Sequence, residues 1–192
     1  MFPELLRERL SGIVELSPEQ LSALQGHYEL MVRWNQTLNL TTITDLVAVV
    51  ERHYCESLFL GSRLPAGSWK VADVGSGPGF PGVPIAILRP ECAMTLIESH
   101  QRKAVFLKEA CRGMRNVRVL GKRAENVQEE FDWVVSRAVS YKDLMGSLRR
   151  LGRCAALLTG GELPPGEMGF SWGEAVSLPW GDQRFVRISR FT

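Results

Sequence analysis

The amino-acid sequence predicts an α/β protein with a helical N-terminal segment followed by a doubly wound, mostly parallel sheet. Three observations lead to this prediction. Apolar residues recur at helical spacing in the first third of the chain, and from residue 69 onward short strand-like runs alternate with helical segments. A turn rich in glycine and proline directly follows the first of these runs, which is typical of a ligand-binding loop at the end of a parallel strand.

The N-terminal helical segment is predicted to span residues 1–65. A helix begins at Ser17, because a serine N-cap, a proline at the next position and a glutamine three residues after the cap form a capping sequence. Apolar residues then follow at helical spacing: Leu21, Leu24, Tyr28 and Met31. We place a second helix over residues 45–60, ended by Gly61 and Pro65. Its predicted apolar face consists of Val47, Val50, Tyr54 and Leu58.

Residues 66–192 are predicted to form the sheet region, within the same structural unit. The strand-like runs lie at 69–74, 94–98, 117–120, 133–136 and 154–159. The helical segments between them lie at 83–88, 101–111, 124–128 and 141–151. The tail alternates apolar residues with arginines, which predicts a last strand at or near a sheet edge.

Composition excludes several classes of protein. A hydrophobic content of 45% argues against a disordered chain. The longest apolar run, residues 83–88, is too short to cross a membrane, and the first ten residues lack the apolar stretch of a secretory signal. The four cysteines include no C-x-x-C pair, so neither a disulfide framework nor a metal site is indicated. We therefore expect a cytoplasmic protein that does not bind membranes, and we take it to be a monomer.

The stretch DVGSGPGFPGVPIA, residues 73–86, carries the clearest functional signal, and its glycine turn starts at Gly75. Gly75 and Gly77 can adopt positive φ and lack a Cβ, so a ligand can approach the backbone closely. The turn is not a dinucleotide fingerprint, because Phe80 stands where its third glycine belongs, and it lacks the lysine of a phosphate-binding loop. Asp73, directly before the turn, favours S-adenosylmethionine over a pyrophosphate, because that cofactor carries an ammonium group and a cationic sulfur.

A second acid, Glu98, ends the next strand-like run. It follows Gly79 by 19 residues, where an acid can accept hydrogen bonds from ribose hydroxyls. The alternative is an ordinary solvent-facing glutamate at a strand end. With the glycine turn upstream, the ribose role is the favoured interpretation.

Several motifs together resemble those of one family. They are RWNQTLNLT at 33–41, RHYCESL at 52–58, the glycine turn, LIESHQRKAVFL at 96–107, RAE at 123–125 and VVSRAV at 134–139. They resemble the 16S ribosomal RNA guanine-N7 methyltransferases (RsmG, formerly GidB), from about residue 20 to the end. The resemblance implies a Rossmann-like class I S-adenosylmethionine-dependent methyltransferase fold with a mostly parallel seven-stranded sheet. It also implies methylation of N7 of one guanine in 16S rRNA, with the 16S rRNA or the 30S small ribosomal subunit as the partner.

The resemblance further implies which residues bind the cofactor. Its methionine end would lie against the glycine turn, its ribose against Glu98, its adenine against the RAE motif, and its methyl group near Arg137. With Asp73 and the neighbouring Ser99 added, the predicted cofactor-binding set is Asp73, Gly75, Gly77, Phe80, Glu98, Ser99, Ala124, Glu125 and Arg137. Thr159 departs from the family, which usually has a lysine there, and this departure concerns RNA contacts more than the cofactor site.

We expect the chemistry to rest on positioning, with no catalytic acid or base. Guanine N7 has an exposed lone pair, so no proton has to be removed before it attacks the methyl carbon. Arg137 is predicted to bind and orient a group such as guanine O6, a phosphate or the cofactor carboxylate. The alternative for Arg137 is an ion pair with Asp73 or Glu98.

A basic segment predicts where RNA binds. The net charge is only +2, yet residues 102–123 contain eight lysines and arginines and one acid. Such a cluster attracts a phosphate backbone, and the alternative is an ordinary solvated helix face. The predicted RNA contacts are Arg102, Lys103 and Arg123 from this segment, with Arg52 and His53 from RHYCESL. For His53, a helix-surface or capping position is the structural alternative.

Two other functions stay open at this point. One is a methyltransferase that acts on a small molecule or another RNA. The other is a ribosome-assembly factor that binds the cofactor but transfers no methyl group.

Overall fold

The computed structural model of the chain describes residues 1–137, 139–161 and 170–191. The helices are α1 (Phe2–Leu10), α2 (Pro18–Leu38), α3 (Leu46–Val49), α4 (Glu56–Arg63), α5 (Gly82–Leu88), α6 (Gln101–Ala110) and α7 (Tyr141–Leu151). A π-helix, Val50–Cys55, joins α3 to α4, and a single 3₁₀ turn spans Ala124–Asn126. None of the helices in these described ranges has the length and apolar character needed to cross a membrane.

The strands are β1 (Lys70–Val74), β2 (Ala93–Ile97), β3 (Val117–Leu120), β4 (Phe131–Arg137), β5 (Gly152–Thr159), β6 (Phe170–Trp172), β7 (Val176–Ser177) and β8 (Phe185–Phe191). Over the described residues they form one eight-stranded sheet in the order β3-β2-β1-β4-β5-β8-β6, with β7 paired to β8. Strands β1 to β5 run parallel to one another, and β8 runs antiparallel to β5. The predicted mostly parallel sheet is confirmed.

The sheet has one strand more than the seven expected, and the reason lies beside β8. Strand β6 pairs with the end of β8 and β7 pairs with its beginning, so two short strands share one edge. The predicted last strand is confirmed as β8, which lies next to that edge. Neither short strand is long enough to produce an alternating pattern in the sequence.

Helix α2 begins where its capping sequence places it. The Ser17 hydroxyl accepts a hydrogen bond from the Gln20 amide, and the Gln20 side chain accepts one from the Ser17 amide, which completes the predicted capping box. Helix α1 is not singled out by the sequence patterns above. Its buried residues Phe2, Leu6 and Leu10 recur every four positions, a spacing that indicates a helix.

The helix predicted over residues 45–60 is divided into α3, the π-helix and α4. Three of the four residues predicted for its buried face are buried, but Val47 is 40% exposed. The π-helix widens the turn around Arg52 and His53, which changes the direction in which the following side chains point. It also places His53 among buried residues. Such π-bulges are often found at functional sites.

The sheet is covered on both faces, as predicted. Val71 of β1 belongs to an apolar cluster that includes the N-terminal helices, α5 and α6. Its neighbours Ala72 and Val74 belong to a second cluster beneath α7. Because successive residues of a strand point to opposite faces, Asp73 shares the face of Val71 and lies under the start of α5.

The N-terminal helices and the sheet are joined by a polar contact as well as by apolar packing. Glu56 of α4 has no exposed surface, and its two carboxylate oxygens accept hydrogen bonds from Arg184, the residue before β8, at 2.5 Å each. We propose that residues 1–65 and 66–192 form one structural unit.

Candidate functional site

Two cavities lie at the carboxyl ends of the parallel strands, on either side of the point where the strand order reverses between β1 and β4. Ligands of open α/β sheets bind at this position. The β1–β2 cavity, of about 160 Å³, is lined by Val74, Gly75, Ile97, Ser99, Ala124 and Glu125, among others. The β4–β5 cavity, of about 210 Å³, is lined by Ser136, Arg137, Tyr141, Leu157, Thr159 and Gly160, among others. Val139 lines both cavities.

The glycine turn after β1 has backbone conformations that residues with a side chain rarely adopt. Gly75, Gly77 and Gly79 have φ values of 74°, 55° and 105°. A Cβ on Gly75 would lie 2.7 Å from Cγ2 of Val139, closer than real carbon contacts come. Gly75 lines the β1–β2 cavity without adding a side chain to it, and Val139 lies against it there.

Glu98, at the end of β2, holds this turn in place. Its carboxylate accepts hydrogen bonds from the amides of Gly77, at 2.8 Å, and His100, at 2.7 Å. The side chain is almost buried, with 7% of its surface exposed. Each oxygen retains a second acceptor position, so support of the turn and a contact with a ribose hydroxyl are compatible.

Replacement of Glu98 with Gln is expected to destabilise the turn. The amide nitrogen of Gln must face either the Gly77 or the His100 amide, so one partly buried backbone donor meets another donor. We expect the free energy of unfolding to fall by about 1 kcal/mol, the low end of the cost of an unpaired hydrogen-bonding group, because these amides are only partly buried. Urea denaturation measures this, and amide hydrogen exchange at Gly77 reports the local effect.

Glu15→Gln serves as the matched control for Glu98→Gln. Glu15 is exposed in the segment between α1 and α2, and the substitution makes the same change in charge. An equal loss of stability in both variants would show that charge, and not the hydrogen bonds of Glu98, causes the effect.

Asp73 lies beneath the turn and is fully buried. Its Oδ2 accepts a hydrogen bond from the Gly82 amide at 2.9 Å, whereas its Oδ1 has no hydrogen-bond partner among the described residues. Burial raises the pKa of the Asp73 carboxyl to about 7. A nearby cation would favour the ionised form of this group.

Phe80 supports the turn from the inside. Its ring is 1% exposed, stacks on the His53 ring with centroids 4.6 Å apart, and contacts Tyr54 edge-on. Only backbone atoms of Phe80 are therefore within reach of a ligand at the methionine end of the expected cofactor.

The helix-surface position considered for His53 is wrong, because the residue is buried. Its ring is 3% exposed because the π-helix turns it toward Phe80 and the core. Nε2 lies 2.9 Å from the Thr41 hydroxyl, and Nδ1 lies 2.8 Å from Nη1 of Arg137. A buried ring with these partners is not available to RNA, whereas the neighbouring Arg52 is exposed.

Arg137 ends β4 and is held by the π-helix. Its Nη1 donates hydrogen bonds to the carbonyl oxygen of Arg52 and to Nδ1 of His53. Its Cζ lies 5.2 Å from the centroid of the Phe80 ring. The alternative ion pair with Asp73 or Glu98 is not formed. Burial lowers the pKa of Arg137 to about 10, so the group is still a cation at neutral pH.

The other predicted residues lie as follows. Ser99, Ala124 and Glu125 line the β1–β2 cavity, where the exposed Arg123 joins them. Arg102 is exposed and Lys103 half-buried on the first turn of α6. Thr159 lines the β4–β5 cavity and accepts a hydrogen bond from Nε of Arg187 at 3.2 Å. Within the described ranges, no cluster of His, Cys, Asp or Glu could hold a metal ion.

The basic surface is smaller than the sequence suggests. Arg112 forms an ion pair with Glu109, and Arg118 forms one with Glu129. Six cations of residues 102–123 form no ion pair within the described part of the chain: Arg102, Lys103, Lys108, Arg115, Lys122 and Arg123. Two of these, Lys122 and Arg123, border the β1–β2 cavity.

His27 contributes to the site but was not predicted. From the middle of α2, its Nε2 lies 3.0 Å from the carbonyl oxygen of Pro78 in the glycine turn, and its Nδ1 lies 2.8 Å from the Tyr54 hydroxyl. Burial lowers the pKa of His27 to about 4, so the ring is neutral. A signal was present in the sequence, since His27 lies on the same helical face as the apolar residues Leu24 and Met31.

The strand order and the bare turn after β1 define the class I methyltransferase fold. A SAM-dependent methyltransferase from Aquifex aeolicus superposes with a TM-score of 0.58 at 17% sequence identity, over 76% of this chain and 93% of that one. Fibrillarin from Aeropyrum pernix, solved with natively bound S-adenosyl-L-methionine, gives a TM-score of 0.56 at 13% identity, over 73% and 75%. At such identities the similarity concerns the fold.

The family model for rRNA small subunit methyltransferase G, GidB, matches residues 20–154, and the chain belongs to this family. A ribosomal RNA small subunit methyltransferase G from Nitrosomonas europaea is 38% identical over 176 residues, covering 85% of this chain and 81% of the relative. Those from Mycoplasma capricolum and Xanthomonas oryzae are 38% and 43% identical, covering 68% and 60% of this chain. The chain spans 58% and 56% of the lengths of these two relatives.

Proposed function

We propose that this protein transfers a methyl group from S-adenosylmethionine to N7 of one guanine in 16S rRNA. The observation that carries the proposal is the family match, because residues 20–154 include every residue that lines the β1–β2 cavity. The relatives are named as methyltransferases of small-subunit ribosomal RNA. We further propose that the protein acts as a cytoplasmic monomer on rRNA or on the 30S subunit.

The residues around the β1–β2 cavity suit this cofactor. Gly75 and Gly77 leave room for its methionine end, Glu98 keeps free acceptor positions for ribose hydroxyls, and Ser99, Ala124 and Glu125 border the space for the adenine. Asp73, whose Oδ1 lacks a partner among the described residues, suits a cationic ligand, because a cation above the turn would favour the ionised form of its carboxyl. When bound, the cofactor supplies an activated methyl group on its sulfonium.

The role of the chain in the reaction is to position the reactants. N7 of guanine attacks through its own lone pair, so the protein has to align it with the methyl carbon and exclude water. Arg137 lines the β4–β5 cavity next to the β1–β2 cavity and is the candidate for orienting the base or the cofactor carboxylate. As a permanent cation at neutral pH it takes no part in proton transfer.

RNA binding is proposed along the unpaired cations of α6 and the following loops. We expect Arg102→Ala/Lys103→Ala to weaken RNA binding. The negative slope of log K against log salt should become shallower by roughly one to two, because fewer phosphate contacts release fewer counterions. Cofactor affinity should stay unchanged. Filter binding at several salt concentrations measures the slope, and calorimetry measures cofactor affinity.

The control for this pair is Arg149→Ala/Arg153→Ala. Both arginines are exposed at the opposite end of the sheet, near the amino end of β5, and the charge removed is the same. If both double variants flatten the salt dependence equally, binding depends on total charge and the surface on α6 is not the RNA site. A loss of cofactor affinity in the first pair would also contradict this placement.

One experiment separates the proposed function from its alternatives. The protein is incubated with tritiated S-adenosylmethionine and small ribosomal subunits from cells that lack this gene. Label in one guanine of the 16S rRNA supports the proposal. Label in small molecules or in another RNA identifies a different methyltransferase. Tight binding to the subunit without label identifies an assembly factor that transfers no methyl group.

A further inference from the structure

The Arg137 side chain contacts His53, which lies 84 positions earlier in the sequence. Arg137 ends β4 and lines the β4–β5 cavity, and its Nη1 contacts the π-helix at the Arg52 carbonyl and at the His53 ring. A guanidinium on a long side chain has many rotamers, and an arginine that orients a reactant has to be confined to one of them. The π-helix therefore supplies the acceptors that select the rotamer.

The geometry fixes the tautomer of His53. A guanidinium can only donate, so Nδ1 of His53 must be the acceptor in its contact with Arg137. The ring proton then resides on Nε2, which donates to the Thr41 hydroxyl oxygen at 2.9 Å. Thr41 is itself held, because the same oxygen accepts a hydrogen bond from the Ile43 amide at 3.1 Å.

The surroundings keep the ring neutral and in place. Burial, reinforced by the charge of Arg137, lowers the pKa of His53 to about 3, so the ring does not compete with Arg137 for the positive charge. The Phe80 ring stacks on His53 with an angle of 19° between their planes and also contacts the Arg137 guanidinium. Phe80 belongs to the glycine turn, so the turn and the arginine are linked through this ring.

We propose that His53 is a positioning residue for methyl transfer: with its ring proton on Nε2, facing Thr41, it presents Nδ1 as an acceptor that holds the Arg137 guanidinium in one position beside the β4–β5 cavity. The inference rests on the proposed function. His53 touches neither substrate nor cofactor in this role and acts through Arg137 alone.

Two amide substitutions separate the two ring nitrogens of His53. The oxygen of Asn can occupy the position of Nδ1, because both are bonded to Cγ, whereas the amide of Gln reaches the position of Nε2. We expect His53→Gln to keep the contact with Thr41, lose that with Arg137, and lower kcat roughly tenfold or more, as for a hydrogen bond to a charged group. His53→Asn should restore the acceptor and keep kcat within about threefold of wild type.

A double-mutant cycle with Arg137→Ala tests whether His53 acts through the arginine. If it does, His53→Gln has no further effect on kcat once Arg137 is absent. A structural role for His53 predicts instead that the two losses multiply. Multiplicative losses, or equal activities of the Asn and Gln variants, would overturn the proposal.

A spectroscopic readout tests the contact without any turnover. In the full-length protein, ¹⁵N resonances of the His53 ring should show a protonated Nε2 and an unprotonated Nδ1 at neutral pH. The Nδ1 resonance should shift in Arg137→Ala, and a protonated Nδ1 in wild type would refute the assignment. Failure of the proposed function looks different, because wild-type protein would then label no guanine while this spectrum stayed as described.

Discussion

Gly75→Val is expected to abolish binding of S-adenosylmethionine, with a loss of affinity of about 100-fold or more. Two effects combine at this position. Gly75 has φ of 74°, where a β-branched residue is strained by about 1–2 kcal/mol. In addition, its Cβ would lie 2.7 Å from Cγ2 of Val139, so the turn or Val139 must move. Because Val139 lines both cavities, either movement changes the space in which the cofactor is expected to bind.

Gly12→Val is the matched control for the strain. Gly12 has φ of 73°, almost the same as Gly75, but a Cβ there meets no atom within 4 Å. It lies in the turn after α1, so its substitution costs backbone strain alone and cofactor affinity should stay at the wild-type value. Calorimetry on both folded variants measures the difference. Gly75→Ala places the same Cβ with a smaller side chain, and it serves if Gly75→Val does not fold. Wild-type affinity in either Gly75 variant would contradict the prediction.

Much of the fold is predictable because its signals are local. The capping sequence at Ser17 identifies the start of α2 without reference to the rest of the chain. The apolar run before the glycine turn predicts β1 to within one residue, because a buried parallel strand has to be apolar on both faces. The glycine turn itself is recognisable because the positive φ values at residues 75, 77 and 79 are tolerated by few residues other than glycine.

The cluster around Arg137 is not predictable from local patterns. Nothing in VERHYC marks a π-helix, because no glycine or proline interrupts the run, and the widened turn depends on what packs against it. The contact between His53 and Arg137 joins β4 to the N-terminal helices, which no periodicity reports. From its sequence neighbours Arg52 and Tyr54 alone, His53 is predicted to lie on the surface. Only the packing of Phe80 against it in the fold shows that it is buried.

The basic segment was predictable in composition but not in geometry. The sequence shows eight cations within residues 102–123, yet their partners come from elsewhere in the fold. Glu129, which follows the 3₁₀ turn, pairs with Arg118 on the outer strand β3. The direction of the loop after β3 places Lys122 and Arg123 beside the β1–β2 cavity. Charge counts along a chain therefore overestimate the surface that is available to RNA.

Arg184→Met is expected to cause the largest loss of stability, about 3–5 kcal/mol, because it leaves the buried carboxylate of Glu56 without its cation. Both oxygens of Glu56 accept hydrogen bonds from Arg184, and Glu56 has no exposed surface on which water could replace them. Met keeps most of the apolar volume of the arginine side chain, so the effect reports the lost pairing. Urea denaturation measures it. If residues 1–65 and 66–192 form one structural unit, helices and sheet should unfold in a single transition at the lower urea concentration.

Two further variants serve as controls for Arg184→Met. Arg112→Met breaks the exposed pair with Glu109 and should cost no more than about 1 kcal/mol, because water solvates the carboxylate that remains. Glu56→Leu/Arg184→Met removes both charges and should recover most of the lost stability, since a buried ion pair gains little over apolar packing of similar volume. A cost for Arg184→Met as small as that for Arg112→Met would mean that water reaches Glu56. Separate transitions for helices and sheet would mean that the N-terminal helices fold apart from the sheet.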